Sequence, residues 1–326
     1  MVAEILVEAD LLGYSTHGLQ FVPAYMKGLE GGKWTTSGAP EIVTDNAAAL
    51  VIDGNWLPGQ WVMVKTLETC MARMADHPVV TATVKRSHNI SCLATYCKRA
   101  AEAGYLAIVA ASAPGNAVVA PAGGRAARLA TSPFAAGIPA PGHPILFDTA
   151  TSSTTNRAIE RARREGDRLA FPALVNAEGE PTDDPNALYT DPPGAILPMG
   201  GMDTGHKGYA LSLLIEALTS GLSGFGRAPG DEPGDEPAGG NTVFIQLTNP
   251  AAFGGAQAFS RETGFLAEIC RTAPAMDDDT PVRVPGDRAF ALYRDQTANG
   301  VELHPEIMPR MAPLLEKYGI AAPAPL

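Results

Sequence analysis

Four polar clusters in this chain combine side chains that can carry protons or hold charged ligands. Asp10-Leu11-Leu12-Gly13-Tyr14-Ser15-Thr16-His17-Gly18 closes a helical pattern. Ser87-His88-Asn89 follows an apolar strand pattern, and Asp148-Thr149-Ala150-Thr151-Ser152 follows another. Gly205-His206-Lys207-Gly208-Tyr209 stands where a long apolar helix is expected to start. An imidazole titrates near neutral pH and can serve as general acid or base. No cluster is diagnostic alone. An isolated histidine is more often a hydrogen-bonded structural residue, a Thr/Ser-rich turn more often a cap, and a lysine at a helix start more often solvated.

Signatures of other chemistries are missing. There is no GxSxG elbow and no HExxH pair. Gly200-Gly201-Met202-Asp203-Thr204-Gly205-His206-Lys207 resembles a phosphate-binding loop, but His206 displaces the lysine and no Ser or Thr follows it. Gly224-Phe225-Gly226-Arg227-Ala228-Pro229-Gly230 resembles a dinucleotide fingerprint, but it is one residue too long and follows a helix instead of a strand. A dinucleotide, if bound, is therefore not held by the ordinary Rossmann loop. Cys70, Cys92, Cys97 and Cys270 form no CxxC pair, so neither a disulfide scaffold nor a metal site is expected, and a reducing cytoplasm is the expected location. The formal charge of −11 with no basic run excludes a nucleic-acid or anionic-lipid footprint. No apolar run is long enough to cross a bilayer, and the start carries acids where a secretory signal carries basic residues.

These clusters need elements to position them. Apolar spacing predicts helices over Val2–Leu12, Phe21–Leu29, Val62–Met74, Leu93–Ala103, Asn156–Arg164, Gly208–Leu222, Ala258–Arg271 and Pro313–Tyr318. Strands are expected at Ala49–Asp53, Val79–Val84, Leu106–Ala111, Ile145–Phe147 and Thr242–Leu247. This alternation predicts an α/β architecture with a sheet covered on both faces. The GDEP-repeating stretch 226–240 can bury almost nothing and reads as a solvated loop. The first helix begins without an N-cap, which fits a start that is short relative to the natural fold unit.

In this order, the segments resemble the type-2 malate/L-lactate dehydrogenase family, whose relatives include sulfolactate and ureidoglycolate dehydrogenases and an imino-acid reductase. The matching blocks are EADLLGYSTHG, VIDGNWLPGQ, RSHNISCLATY, APAGGRAARLATSPFAAGIPAP, LFDTATSS and PMGGMDTGHKGYALSLLIEALTSGLSG, and the resemblance runs from Val2 to about Gly286. The resemblance implies a mixed-sheet, non-Rossmann fold that binds NAD or NADP. It implies hydride transfer between nicotinamide and a 2-hydroxy/2-keto acid or an imino acid. It further implies a substrate and dimerisation domain from 1–85 with 265–326, a cofactor domain from 86–264, and a homodimer with its site near the subunit interface. The family's proton acceptor falls on His88, which keeps the Ser-His order; a one-residue shift would put Asn89, which cannot act as a base, in that column. His17, Tyr25 and His206 match substrate-side residues. Phe21 stands where relatives carry an arginine that grips the substrate carboxylate, leaving Lys85, Arg86 and Arg157 as alternative cations. Ser112, Asp148, Thr149, Ala150, Thr151 and Lys207 match nucleotide contacts. The alternative expectation is a family member that keeps ligand binding and has lost turnover, motivated by Phe21 and the shifted His88 segment.

Overall fold

The computed structural model describes residues 1–228, 239–277 and 279–324, so most of the 226–240 stretch lies outside the described residues. The chain opens with α1 (Val2–Leu11) and a short 3-10 turn (Leu19–Phe21) that leads into α2 (Val22–Glu30). A hairpin of β1 (Glu41–Asn46) and β2 (Ala49–Asp53) precedes α3 (Gly59–Arg73), β3 (Val79–Ser87), α4 (Ala94–Glu102) and β4 (Leu106–Ser112). Then come β5 (Phe134–Ile138), β6 (Ile145–Thr149) and α5 (Asn156–Glu165), followed by three two-residue strands, β7 (Leu174–Val175), β8 (Pro181–Thr182) and β9 (Ala195–Ile196). The described chain closes with α6 (Gly201–Glu216), β10 (Asn241–Thr248), α7 (Ala256–Arg271), α8 (Asp287–Asn299) and α9 (Ile307–Tyr318).

Seven strands form one mixed sheet in the order β1-β2-β3-β10-β4-β5-β6, and β8-β7-β9 form a small second sheet. Among the described strands of this sheet only β2 and β3 pair in parallel; β10 returns late in the chain to lie antiparallel between β3 and β4. Strand alternation puts Val243, Ile245 and Leu247 of β10 in the main core, with Val80, Ala82 and Val84 of β3 and Val109 of β4. The same core takes in Ile5 and Ala9 of α1, Met63 and Leu67 of α3, and Tyr96 and Cys97 of α4. On the opposite face, Phe244 and Ala110 pack under Ile215 of α6, so the centre of the sheet is covered on both sides. The sheet crosses the expected boundary at 85/86, which falls within β3.

Several elements differ from their expected limits. α6 begins at Gly201, seven residues before the predicted start, so His206 and Lys207 lie inside the helix and not at its mouth. Gly200-Gly201-Met202-Asp203-Thr204-Gly205 opens the stretch that resembles a phosphate-binding loop. In the fold, Gly200 at φ +99 caps the helix, Gly201 at φ +62 opens it, and Thr204 departs from helical geometry inside it. Asp148 belongs to β6 instead of following it. Pro313 lies inside α9, which starts at Ile307. The wholly exposed β1 and the helix α8 carry too little apolar periodicity to have been read.

Candidate active site

The His17 corner is built from the end of α1. Asp10, 3% exposed, accepts the Leu19 N–H at 2.7 Å and thereby folds the loop 13–18 back on the helix. Gly18 packs so tightly on the Asp10 carboxyl that a Cβ there would overlap it. Thr16 Oγ1 lies 2.8 Å from His17 Nδ1, and the Ser91 hydroxyl donates to the His17 carbonyl. The ring is thus held from its Nδ1 side, leaving Nε2 for a ligand.

Asp148 comes to the same place from β6. Its Oδ2 accepts the N–H groups of Leu93 at 2.7 Å and Ala94 at 3.1 Å, at the N-terminus of α4, and lies 3.4 Å from Cys92 Sγ. Unpaired helix N–H groups favour an anion there. Burial pushes the Asp148 carboxyl up and the His17 imidazole down, while the two charges pull each other back toward the ion pair. His17 and Asp148 thus line one cleft of about 450 Å³, close enough for each charge to act on the other.

Asn89, not His88, faces that cleft. Ser87 ends β3; the backbone takes a positive φ just before it at Arg86, whose guanidinium is tied to Asp53, and again after it at Ser91. Gly59 lets α3 approach the carbonyls of His88 and Asn89 closer than any side chain would permit. The turn sends the neighbouring side chains to opposite sides. His88 stacks on Trp34, with centroids 4.3 Å apart, and its buried Nε2 has no hydrogen-bond partner among the described residues. The expected base is therefore not brought together with the other candidates. Asn89 Oδ1 is occupied by the Tyr25 hydroxyl at 2.7 Å and the Ser91 N–H at 2.9 Å, and Tyr25 in turn accepts from Gln60 at 2.7 Å. Both acceptor sites are filled, so Asn89 has only its amide N–H groups to offer a ligand. Tyr25 stands behind Asn89 and does not line the cleft.

Phe21 lines the cleft, and the Arg157 guanidinium sits 5.0 Å over its ring. Of the three alternative cations, Arg157 is the one that lines the cleft; Arg86 is engaged by Asp53. The sequence pattern had read α5 as a helix without showing which face meets the site, and Glu160, one turn on, had not been singled out.

The floor of the cleft passes Ala111, Ala113, Thr131, Thr149, Ala150 and Asn241. Alternation along β4 explains why Ala111 faces the cleft while Ser112 turns away. Ser112 is fully buried and donates to Glu216 at 2.7 Å, in a node shared with Ser132 and Arg227. Thr151 is also buried, bonding the carbonyls of Thr131 and Ser132 at 3.1 Å. His206 lines a second cavity of about 510 Å³ with Gly123, Gly124 and Arg125, and Lys207 is exposed on α6 outside the main cleft. The three alanines carry nothing beyond Cβ and leave this side of the cleft free of long side chains. Asn116, Asn241 and Thr131 present polar side chains to the cleft that form no hydrogen bond among the described residues. A nicotinamide and its ribose fit such a lining.

The family model described as malate/L-lactate dehydrogenase matches residues 1–312. The chain belongs to the malate/L-lactate dehydrogenase family. It is 35% identical to an L-lactate dehydrogenase of Cupriavidus necator, over 99% of this chain and 91% of that one. It is 29% identical to a Delta(1)-pyrroline-2-carboxylate reductase of Ancylobacter novellus, over 92% of this chain and 85% of that one. Among solved structures, the delta1-piperideine-2-carboxylate reductase of Pseudomonas syringae superposes with a TM-score of 0.81 at 27% identity, covering 96% of this chain and 91% of that one. Malate dehydrogenase of Entamoeba histolytica shares the fold with a TM-score of 0.90 at 24% identity, covering 98% and 91%. As a member of this family the chain is a nicotinamide-dependent oxidoreductase acting on CH–OH or C=N groups. No helix among the described residues is long and apolar enough to cross a membrane.

Proposed function

We propose that the cleft interconverts a 2-hydroxy acid and its 2-oxo acid, or reduces a cyclic imino acid, with His17 carrying the proton. The observation that carries this reading is that His17 and Asp148 line one cleft and act on each other's charge, with the imidazole held through Nδ1 by Thr16. The nicotinamide, NAD or NADP, supplies or accepts the hydride when bound. Thr149, Ala150, Thr131 and Asn241, which line the cleft, would hold it.

In the oxidative direction, neutral His17 takes the hydroxyl proton as the C2–H bond breaks, and Asp148 stabilises the imidazolium that results. In the reductive direction, protonated His17 returns that proton to the oxygen or the imine nitrogen. Asn89 donates an N–H to the substrate oxygen and cannot itself remove a proton, which separates the two tasks between two residues. Burial lowers the His17 pKa and favours the neutral, accepting form at neutral pH.

The proposal includes a cytoplasmic homodimer, supported by the exposed apolar side chains Phe265, Leu266 and Ile269 on α7. Sedimentation of the purified chain checks this part separately. The reaction itself is tested by titrating NADH and NADPH into the protein, then following loss of the reduced-nicotinamide absorbance with a panel of 2-oxo and imino acids. Binding of one cofactor and turnover of at least one acid is the expected result. Failure to bind either cofactor overturns the proposal.

A further inference from the structure

We infer that Arg157 takes the substrate carboxylate and that the cleft selects substrates with a single anionic group on an apolar body. This rests on reading the cleft as the substrate site. Arg157 is the lone Lys or Arg among the described lining residues. It lies in the first turn of α5, where Thr155 caps the helix by accepting the Ala158 N–H at 3.2 Å, so the helix terminus adds to its attraction for an anion. Its guanidinium is parked over Phe21 and near enough to His17 for its charge to bear on that imidazole. A carboxylate gripped there lies on the His17 side of the cleft, as the neighbouring C2 must.

Arg157 binds one carboxylate already, through an NH1 contact of 2.6 Å to Glu160. The guanidinium fork has further donors for a second. A substrate with two anionic groups meets a different situation. Its second group finds no other Lys or Arg among the described lining residues and faces two carboxylates, Glu160 and Asp148. Like charges in a confined site exclude partners more strongly than opposite charges hold them. The apolar part of the lining, Tyr14, Phe21, Ile90, Leu93 and Pro133 among it, suits an aliphatic or aromatic side chain. The substrate class is thus a monocarboxylic 2-oxo acid or a cyclic imino monocarboxylate, and dicarboxylates and sulfonated acids are rejected.

Two measurements test this, one of them independent of turnover. Calorimetric titration with oxamate, a monocarboxylate, in the presence of NADH should show binding. Arg157→Gln should weaken it about 100-fold while the NADH affinity stays unchanged, and Arg157→Lys, which keeps charge but loses the fork, should fall between. Kinetics should show 2-oxobutyrate, phenylpyruvate or pyrroline-2-carboxylate preferred over oxaloacetate and sulfopyruvate. Glu160→Gln should raise kcat/KM for oxaloacetate about tenfold. Oxamate binding unaffected in both Arg157 variants, or oxaloacetate accepted as readily as the monocarboxylates, overturns the inference. Oxamate binding that depends on Arg157 without turnover of any acid upholds it and counts instead against the proposed reaction.

Discussion

Two histidines stand at equivalent-looking places in this molecule, each in a loop just after an ordered element and each half-buried among aromatic rings. His17 follows α1 and meets Phe21 edge-on at 5.9 Å; His88 follows β3 and stacks on Trp34 at 4.3 Å. Burial lowers both imidazoles. What differs is the partner. His17 has a hydroxyl on Nδ1 and the charge of Asp148 close by, and it opens on a cleft. His88 has flat rings on two sides, Trp34 and Trp56, and an Nε2 facing protein without a partner among the described residues. Burial alone makes a histidine a poor base. Burial with a carboxylate to stabilise the charged form makes it a proton carrier.

Replacing each histidine in turn is the sharpest way to break this comparison. His17→Ala is expected to lower kcat about 10⁴-fold, at the upper end of what a positioned acid–base group supplies. His88→Ala should leave turnover within about threefold and show its cost, about 1 kcal/mol, in stability through the lost stack on Trp34. Reduction assays beside thermal melts of the two variants decide it, and a collapse of activity in His88→Ala would return the base to that position. Asp148→Asn keeps the shape and removes the charge. It should cost about 10³-fold in kcat and shift the pH dependence of reduction. In the wild type, reduction needs the imidazolium. Because burial lowers the His17 pKa, the rate should rise as pH falls and continue to rise below the ordinary imidazole range near 6.5, while oxidation shows the opposite limb.

Asn89 tests whether proton transfer and oxygen binding are separate tasks. Asn89→Ala removes a donor, and with it the acceptor for the Tyr25 hydroxyl and the Ser91 N–H, but leaves the side chains of His17, Thr16 and Asp148 in place, so about 10²-fold should be lost from kcat with the pH profile unmoved. A displaced profile would mean that Asn89 acts through His17.

Much of this was legible in the residues, and the parts that were not share a cause. The helices α1, α3, α4 and α5 and the strands β2, β4 and β10 lie within a few residues of their expected positions, because each carries its own apolar period. That β10 lies between β3 and β4 depends on pairing between segments some 150 residues apart, and no local pattern records it. The loop of Thr16 and His17 was readable as a polar cluster after an apolar helix. The choice between His88 and Asn89 was not, because a turn with positive φ at Arg86 and Ser91 decides which of two adjacent side chains meets the cleft. Ser112 was in part recoverable: on a strand, Ala111 and Ala113 share a side and Ser112 cannot join them. Arg157 could not be assigned because the site-facing side of an amphipathic helix depends on its neighbours.

A last expectation concerns stability and contrasts the carboxylates behind the two histidines. Asp53, behind the His88 segment, is paired with Arg86. Asp10, behind His17, has no cationic partner, and its buried Oδ1 has no hydrogen-bond partner among the described residues. Burial raises the Asp10 pKa from 3.8 to about 6, only partly offset by the Leu19 N–H. The folded state therefore holds the Asp10 proton more tightly than the unfolded chain does. Its stabilising effect is complete below the unfolded value of 3.8 and is lost as pH rises through about 6. Between pH 7 and pH 5 this one group should add about 1 kcal/mol of stability on acidification. Urea unfolding at the two pH values measures it against the sum of all other titrations. Asp10→Asn, which keeps an acceptor for Leu19 and carries no charge, should flatten the difference by about that amount. If the variant retains the full pH dependence, the proton is held elsewhere, and the loop of His17 is not supported by a strained carboxylate.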